Sequence, residues 1–567
     1  MHGLKTRATN GACSMLLGRG FAATIAAACA ATAAAAPTVE FLHPAGGQQG
    51  ATVSVTVGGK FSEWPVKVWA DHPGIKGEAG KEKGNLTVVI AKDVPPGAHL
   101  FRLYDATGAA TPGVFIVGQW REVAEAEPND EVAKAQAAGA LPVVANGRLE
   151  KSGDVDCFAV ELRAGQPLVA SLTGRRLGSP MDPMLHLTDG EGNQLAFAHD
   201  GYGLDPLLVY RVEKAGRYVV RVSGFAHPPA AEVRLTGGPA AVYRLSLGTD
   251  LPARYALPAG VKRGTQSKVR LVPWGGALEG VLAQQEVDAA GVGAAELFID
   301  LRLPAADEPL RLALGDGPEL TEPELKSSAQ ATPLTAPVSV TGRIERDGEE
   351  DAYRFAAKKG EKFVIAARSV AVASGMDAVL RVEDEAGKTL ASDDDKGEGS
   401  DARVEWEAGS EGTFRAVVGD LFRRGGDAHV YRLSVAHAAS GAASAALDAD
   451  AYVVSPGKPA AVKLTAARGP EAGGLIAVVT GLPPGVIATS AEVPEKGGEV
   501  TITVSAAPDA KTASGPLRVL LLGTDPKRPA SWVATSSLRK ENGQELVART
   551  DAPWLTVLAA PAPEKKP

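Results

Sequence analysis

Short runs in which apolar and polar residues alternate recur along the whole chain. Thr52-Val-Ser-Val-Thr-Val57 has period two, which puts its valines on one face of a strand. Leu86-Thr-Val-Val-Ile90, His99-Leu-Phe-Arg-Leu103 and Val114-Phe-Ile-Val117 follow, with turn signals at Ala45-Gly-Gly47, Gly58-Gly59 and Pro95-Pro-Gly97. Strands spaced about ten residues apart predict a half-buried antiparallel sandwich. The texture returns near the end in Ala461-Val-Lys-Leu-Thr465, Leu475-Ile-Ala-Val-Val479, Glu499-Val-Thr-Ile-Thr-Val504 and Leu517-Arg-Val-Leu-Leu-Leu522, with Gly481-Leu-Pro-Pro-Gly-Val486 as a turn.

The middle of the chain repeats itself. Leu257-Pro-Ala-Gly260 echoes His43-Pro-Ala-Gly46, and Gly342 to Tyr353 echoes Gly147 to Phe158. Met376-Asp-Ala-Val-Leu-Arg-Val382 answers Met181 to Leu187 at a shift of 195 residues, and Tyr431-Arg-Leu-Ser-Val435 answers Tyr243 to Leu247. A long-period duplication of a two-domain unit is the simplest source.

At 567 residues the chain exceeds a single core, and 65 Gly, 39 Pro and 5% aromatic residues suit many short strands joined by tight turns. The fold class expected is all-β, a tandem array of about five β-sandwich domains. The boundaries read as a signal peptide over 1–36, an immunoglobulin-like domain over 37–120, a second sandwich over 121–250, a degenerate immunoglobulin-like domain over 251–325, a repeat of the second sandwich over 326–438, a C-terminal immunoglobulin-like domain over 439–558 and a disordered tail over 559–567.

The N-terminus carries Lys5, Arg7 and Arg19, then an Ala-dominated run from Phe21 to Ala36, the pattern of a secretory signal peptide. A lipoprotein start at Cys29 is the alternative. No later run approaches the ~20 apolar residues of a membrane-spanning helix. The expected location is therefore secreted, periplasmic or in the cell envelope. Removing the leader takes the formal charge from −8 to −11, which argues against a nucleic-acid partner. Of Cys13, Cys29 and Cys157 only the last survives cleavage, so no intramolecular disulfide is expected, and Cys157 reads as a buried small hydrophobe.

Candidate chemistry concentrates in two clusters, Glu125-Ala-Glu127-Pro-Asn129-Asp130 and Ser152-Gly-Asp154-Val-Asp156-Cys157-Phe158. Crowded carboxylates repel unless a cation sits between them, and a hard cation such as calcium takes about six to eight oxygens from flexible loops. The other reading, a pair of solvated loops, is the ordinary fate of charge runs. Alternate residues of a strand face opposite ways, which disfavours glycosidase chemistry for Asp154 and Asp156; on a loop before the strand, metal ligation is more natural.

Those clusters, with Met181-Asp-Pro-Met-Leu-His-Leu187, Asp189-Gly-Glu-Gly-Asn-Gln-Leu-Ala196, Ala215-Gly-Arg-Tyr-Val-Val-Arg-Val222 and Tyr243-Arg-Leu-Ser-Leu247, resemble the bacterial pre-peptidase C-terminal (PPC) domain over Glu125 to Gly248. The resemblance implies a small jelly-roll-like β-sandwich found beside secreted proteases and other exported proteins. It also implies structural calcium at Glu125, Glu127, Asn129, Asp130, Asp154 and Asp156. Cys157 departs from the family, whose members often have an aromatic residue there; the change spares the ligands but bears on inherited binding surfaces. The segment Phe41 to Gly50 is similar to the opening of immunoglobulin-like IPT/TIG domains. In the second copy Thr321-Glu-Pro-Glu-Leu-Lys326 takes the place of Glu125 to Asp130, and Glu349 and Asp351 stand where Asp154 and Asp156 do, so weak or no calcium binding is expected there.

No G-x-S-x-G elbow, H-E-x-x-H, P-loop or dinucleotide fingerprint occurs, and His186, His199 and His429 are scattered. The acidic run Asp393-Asp-Asp395 reads as a solvated hairpin turn. The expectation is a non-catalytic monomer, with no catalytic residues, that binds or spaces outside the cell, its partner an extracellular protein or glycan. An unrecognised hydrolase or its accessory chain is one alternative. A collagen- or polysaccharide-binding module is another, weakened by only 7 Trp, 9 Tyr and 13 Phe.

Overall fold

The computed structural model describes residues 35–560 except 200, 202–203, 229–233, 275–282, 293–297, 305, 323–331, 370–371, 373, 396–400, 439–442, 469–472, 527–530 and 542–543. The leader, Cys29 and tail residues 561–567 lie outside the described residues. Among the described residues there is no α-helix, and none is long and apolar enough to cross a membrane.

Strands stack as a series of sandwiches. The first spans strands Thr38–His43 to Gly113–Gly118, the second Arg121–Ala124 to Val242–Gly248, the third Ala253–Leu257 to Leu310–Gly315, the fourth Glu319–Thr321 to Val430–His437 and the fifth Ala443–Leu447 to Trp554–Val557. Strand Glu319–Thr321, assigned from sequence to the third domain, pairs in parallel with Val338–Arg343 and so belongs to the fourth sandwich.

The second and fourth sandwiches share one topology. In the second, one sheet runs Leu207–Arg211, Pro167–Thr173, Val242–Gly248, Val143–Arg148, Arg121–Ala124, and the other Gln136–Ala137, Asp156–Leu162, Gly216–Ala226, Met181–Asp189, Gln194–Ala198. The fourth repeats both orders strand for strand. Registers repeat too: Gly147 faces Tyr243 as Gly342 faces Tyr431, and Asp156 faces Val222 as Asp351 faces Val418. Alternation drives the layering, because Phe158, Val160 and Leu162 from one sheet meet Leu168, Ala170 and Leu172 from the other in one buried core. Each large apolar side chain so buried contributes roughly 1.5–3 kcal/mol.

The first and third sandwiches each abut the unit that follows at a glycine. A Cβ on Gly46 would lie 2.6 Å from Arg244 Nη1, and one on Gly260 would lie 2.7 Å from Arg432 Nε. These are the Pro-Ala-Gly glycines of the sequence echo. Arg244 is buried and pairs with Glu122 at 2.9 Å; Arg432 pairs with Glu319 in the same way. Any side chain at either glycine would drive into an ion pair that has no solvent to retreat to.

The third sandwich is tied to the second as well, since Asp307 accepts hydrogen bonds from Gln119 N at 2.8 Å and Trp120 N at 3.1 Å. Finally the fifth sandwich returns to the first. Trp554, 1% exposed, lies against Trp69 and Tyr104, with ring centroids 5.8 and 4.7 Å away. Fully buried Arg102 pairs with Asp450 at 3.0 Å beside it.

Candidate metal centre

Strand Arg121–Ala124 ends one sheet, and Glu125 N donates to Asn146 O at 2.9 Å as the chain leaves it. Ten residues on, Gln136–Ala137 joins the other sheet in parallel with Phe158 and Ala159. The acidic segment is therefore the crossover between the two layers. Gln136 closes it, donating from Nε2 to Ala124 O and accepting from Ala126 N, each at 2.8 Å. Asp154 lies in the turn before strand Asp156–Leu162, and Asp156 opens that strand directly beneath the crossover.

The structure brings all six sequence-derived residues together. Carboxylate oxygens of Glu125, Glu127 and Asp156 lie within 4.8 Å of one another, as do those of Glu127, Asp130 and Asp154, so Glu127 belongs to both groups. Asn129, Asp154 and Asp156 are fully buried, and Glu127 is exposed. Asn129 Nδ2 donates to Glu125 Oε1 at 2.9 Å and Asn129 N to Glu127 Oε2 at 2.8 Å, which turns the amide oxygen the other way. Glu150 N donates to Asp154 Oδ2 at 2.5 Å and the Tyr243 hydroxyl to Asp156 Oδ2, also at 2.5 Å.

Three buried oxygens, Asn129 Oδ1, Asp154 Oδ1 and Asp156 Oδ1, accept no hydrogen bond. Lys151 Nζ, on an exposed side chain, stands 3.6 Å from Asp154 Oδ1. Buried polar atoms are ordinarily satisfied, and leaving one unmade costs about 1–3 kcal/mol. Burial, then the neighbouring Glu127, Glu150 and Asp154, pushes Glu125 up to about 7. Burial pushes Asp156 up to about 8 against the opposing hydrogen bond from Tyr243, with Glu125 and Asp154 adding to the rise. Five carboxylates and one amide oxygen are the ligand types that hard cations take.

Sequence reasoning missed Tyr243 and Gly147. A Cβ on Gly147 would collide with the Tyr243 ring, so glycine there lets the hydroxyl reach Asp156. The signal was present in the paired recurrence of Gly147 with Tyr243 and of Gly342 with Tyr431.

The counterpart in the fourth sandwich is built differently. Glu322 N donates to Thr341 O at 2.9 Å, the place Glu125 N takes on Asn146 O, so Glu322 stands where Glu125 does. The sequence reading puts Thr321 there; the structure sets the register one residue later, because Thr321 pairs with Thr341 as Ala124 pairs with Asn146. Glu349 accepts from Glu345 N at 2.9 Å as Asp154 does from Glu150 N. Tyr431 and Asp351 lie 2.6 Å apart, repeating Tyr243 and Asp156. The new element is Tyr353, in the place of Phe158: its hydroxyl is 2.7 Å from Glu322 Oε1 and 2.6 Å from the Tyr431 hydroxyl. Residues 323–331, which include the rest of the sequence-aligned segment, lie outside the described residues.

A third acidic group, Asp393, Asp394 and Asp395, also brings carboxylate oxygens within 4.8 Å of one another, at the end of strand Thr389–Asp393. Asp393 is buried at a strand end and accepts from Arg403 N at 2.8 Å, while Asp394 and Asp395 are exposed. His186 meets Gln194 at 2.9 Å, and His199 lies 3.2 Å from Asp182. Cys157 is buried, and burial raises its thiol. A cavity of about 90 Å³ between the second and third sandwiches is lined by Trp120, Trp274 and an Arg176–Glu308 pair already closed at 2.8 Å.

No family model matches the chain, and no curated protein matches it. Among solved structures, the pre-peptidase C-terminal domain of a collagenase from Bacillus anthracis aligns over 19% of this chain and 94% of that domain, at 16% identity and a TM-score of 0.16. Tripeptidyl peptidase 2 aligns over 93% of this chain and 40% of its own, at 9% identity and a TM-score of 0.14. Trypsin-activated alpha-2-macroglobulin from Escherichia coli aligns over 90% of this chain and 48% of its own, at 10% identity and a TM-score of 0.15. At these TM-scores none of the three bears on what the chain does.

Proposed function

We propose that the chain is an exported, non-catalytic protein that binds or spaces at the cell envelope or outside it, and that its second sandwich is a PPC-like unit fastened by structural calcium. The observation that carries the calcium reading is the set of three buried oxygens on Asn129, Asp154 and Asp156 that accept no hydrogen bond, only the Asp154 one being met by a cation, the exposed Lys151 at 3.6 Å, within a ring of carboxylates. Glu125, Glu127, Asn129, Asp130, Asp154 and Asp156 would hold the ion. Bound there, it would neutralise the crossover and fasten both sheets to it. Extracellular modules bind calcium at ~0.1–1 mM, so such a site fills outside the cell and empties in cytosol.

The non-catalytic reading rests on the absence from the sequence of any recognisable nucleophile, base or nucleotide motif, and on the assignment of nearly every segment to a sandwich. The partner is a protein or glycan surface met outside the cell.

Differential scanning calorimetry in calcium and in excess chelator tests the calcium reading. One transition should rise with calcium in the native protein and stay fixed in a Glu127→Ala, Asp154→Ala variant. An unchanged native profile would refute it. Casein and peptidoglycan zymography should be blank; a cleared zone would restore the hydrolase alternative.

A further inference from the structure

The two copies solve one electrostatic problem in two ways, and a single position separates them. Both place a glutamate just after the first strand (Glu125 or Glu322), an aspartate near the start of the strand below it (Asp156 or Asp351) and a tyrosine hydroxyl (Tyr243 or Tyr431) at the edge of the sandwich. In the second sandwich the ring two residues after the aspartate is Phe158, which brings no hydroxyl, and Asp156 Oδ1 is left without a partner. In the fourth it is Tyr353, fully buried, and its oxygen stands between Glu322 and Tyr431.

Counting protons shows what this accomplishes. Glu322, Tyr353, Tyr431 and Asp351 make a chain of three short contacts of 2.7, 2.6 and 2.6 Å. The two phenols bring two protons. Three contacts need three, and the third must be a carboxyl proton kept by Glu322 or Asp351. Among the described residues, Glu345 and Glu349 add negative charge beside it, which disfavours its loss, and the Arg343 N–H donates to Glu322. Burial, with Glu322 alongside, accordingly pushes Asp351 up to about 8.

We infer that the Tyr353 hydroxyl and one retained carboxyl proton take the place of a cation in the fourth sandwich, and that the residue at 158 or 353 decides which of the two a unit uses. The inference rests on the calcium reading for the second sandwich but not for the fourth. Tyr353 is an internal ligand: it fills the gap between the two acids and closes it to a metal. Phe158 keeps the corresponding gap open.

Exchanging the two residues tests this in the full chain, with hydrogen-exchange mass spectrometry to localise the effect and calcium titration to measure affinity. Tyr353→Phe should lower protection of strand Glu350–Ala357 at least tenfold, equally in calcium and in chelator. Phe158→Tyr should weaken calcium binding at least tenfold and raise protection of strand Asp156–Leu162 in chelator. Unchanged protection in Tyr353→Phe, or native calcium affinity in Phe158→Tyr, would overturn the inference. Should the native chain show no calcium response, the calcium reading falls alone, and the two protection changes in chelator still decide the role of the hydroxyl.

Discussion

The second and fourth sandwiches have the same strand order, the same register and the same glycine–tyrosine–aspartate contact, yet their acidic edges differ in kind. In one, five carboxylates crowd a half-buried edge where three buried oxygens accept no hydrogen bond; in the other, a second tyrosine threads between two acids. On the reading proposed above, a fold can keep a set of buried acids without an ion, provided a hydroxyl fills the gap and a proton stays behind. What is kept is the geometry around Asp156 and Asp351. What changes, on that reading, is the source of positive charge.

The largest effect should come from breaking what the two share. Gly147→Val and Gly342→Val each push a side chain into the tyrosine beneath, and each should cost about 2–3 kcal/mol by calorimetry, in calcium or chelator alike. Unequal losses would mean that the tyrosine matters to only one unit. Calcium comes next and should separate the units: at a hundred times its dissociation constant it adds about 2.7 kcal/mol to the second sandwich and nothing to the fourth. Localised hydrogen exchange checks both halves.

Acidity should act on both units when calcium is absent. Asp156 and Asp351 have folded values of about 8, above the ordinary carboxylate range, so the folded state holds more protons than the unfolded one between roughly pH 4 and 8. Their contribution is present in acid and is lost as pH rises through 8, with a slope of at most about 1.4 kcal/mol per pH unit for each group. Melting temperature in chelator should fall over that range. Calcium should flatten the fall in the second sandwich only, because there it displaces the protons. The smallest effect should be that of Lys151→Ala. Its ammonium stands 3.6 Å from Asp154 and 3.7 Å from Asp130 on an exposed side chain, and losing it should strengthen calcium binding about twofold or less in a titration.

Much of this was readable beforehand, for local reasons. Period-two runs such as Thr52 to Val57 mark strands because a sheet buries one face, and Glu125 to Asp130 announces itself because so many acids within six residues are costly without a cation. The rest depends on contacts distant in sequence. Tyr243 meets Asp156 from 87 residues away, and Arg102 meets Asp450 from 348 away. Gly46 and Gly260 were visible as an echo, but their reason, an Arg–Glu pair pressed against each, exists only once two sandwiches have docked. Tyr353 carries no signal in the sequence beyond its place in the echo, since nothing in its neighbours tells a hydroxyl buried among acids from one at the surface.

The most direct measurement is the calcium stoichiometry of the mature chain by isothermal titration, for the native protein and for Glu127→Ala, Asp154→Ala and Asp351→Asn variants. A single equivalent is expected, abolished by the pair of substitutions in the second sandwich and untouched by the one in the fourth. Two equivalents, none, or a single equivalent lost on changing Asp351 would contradict the division between a metal-held edge and a proton-held one.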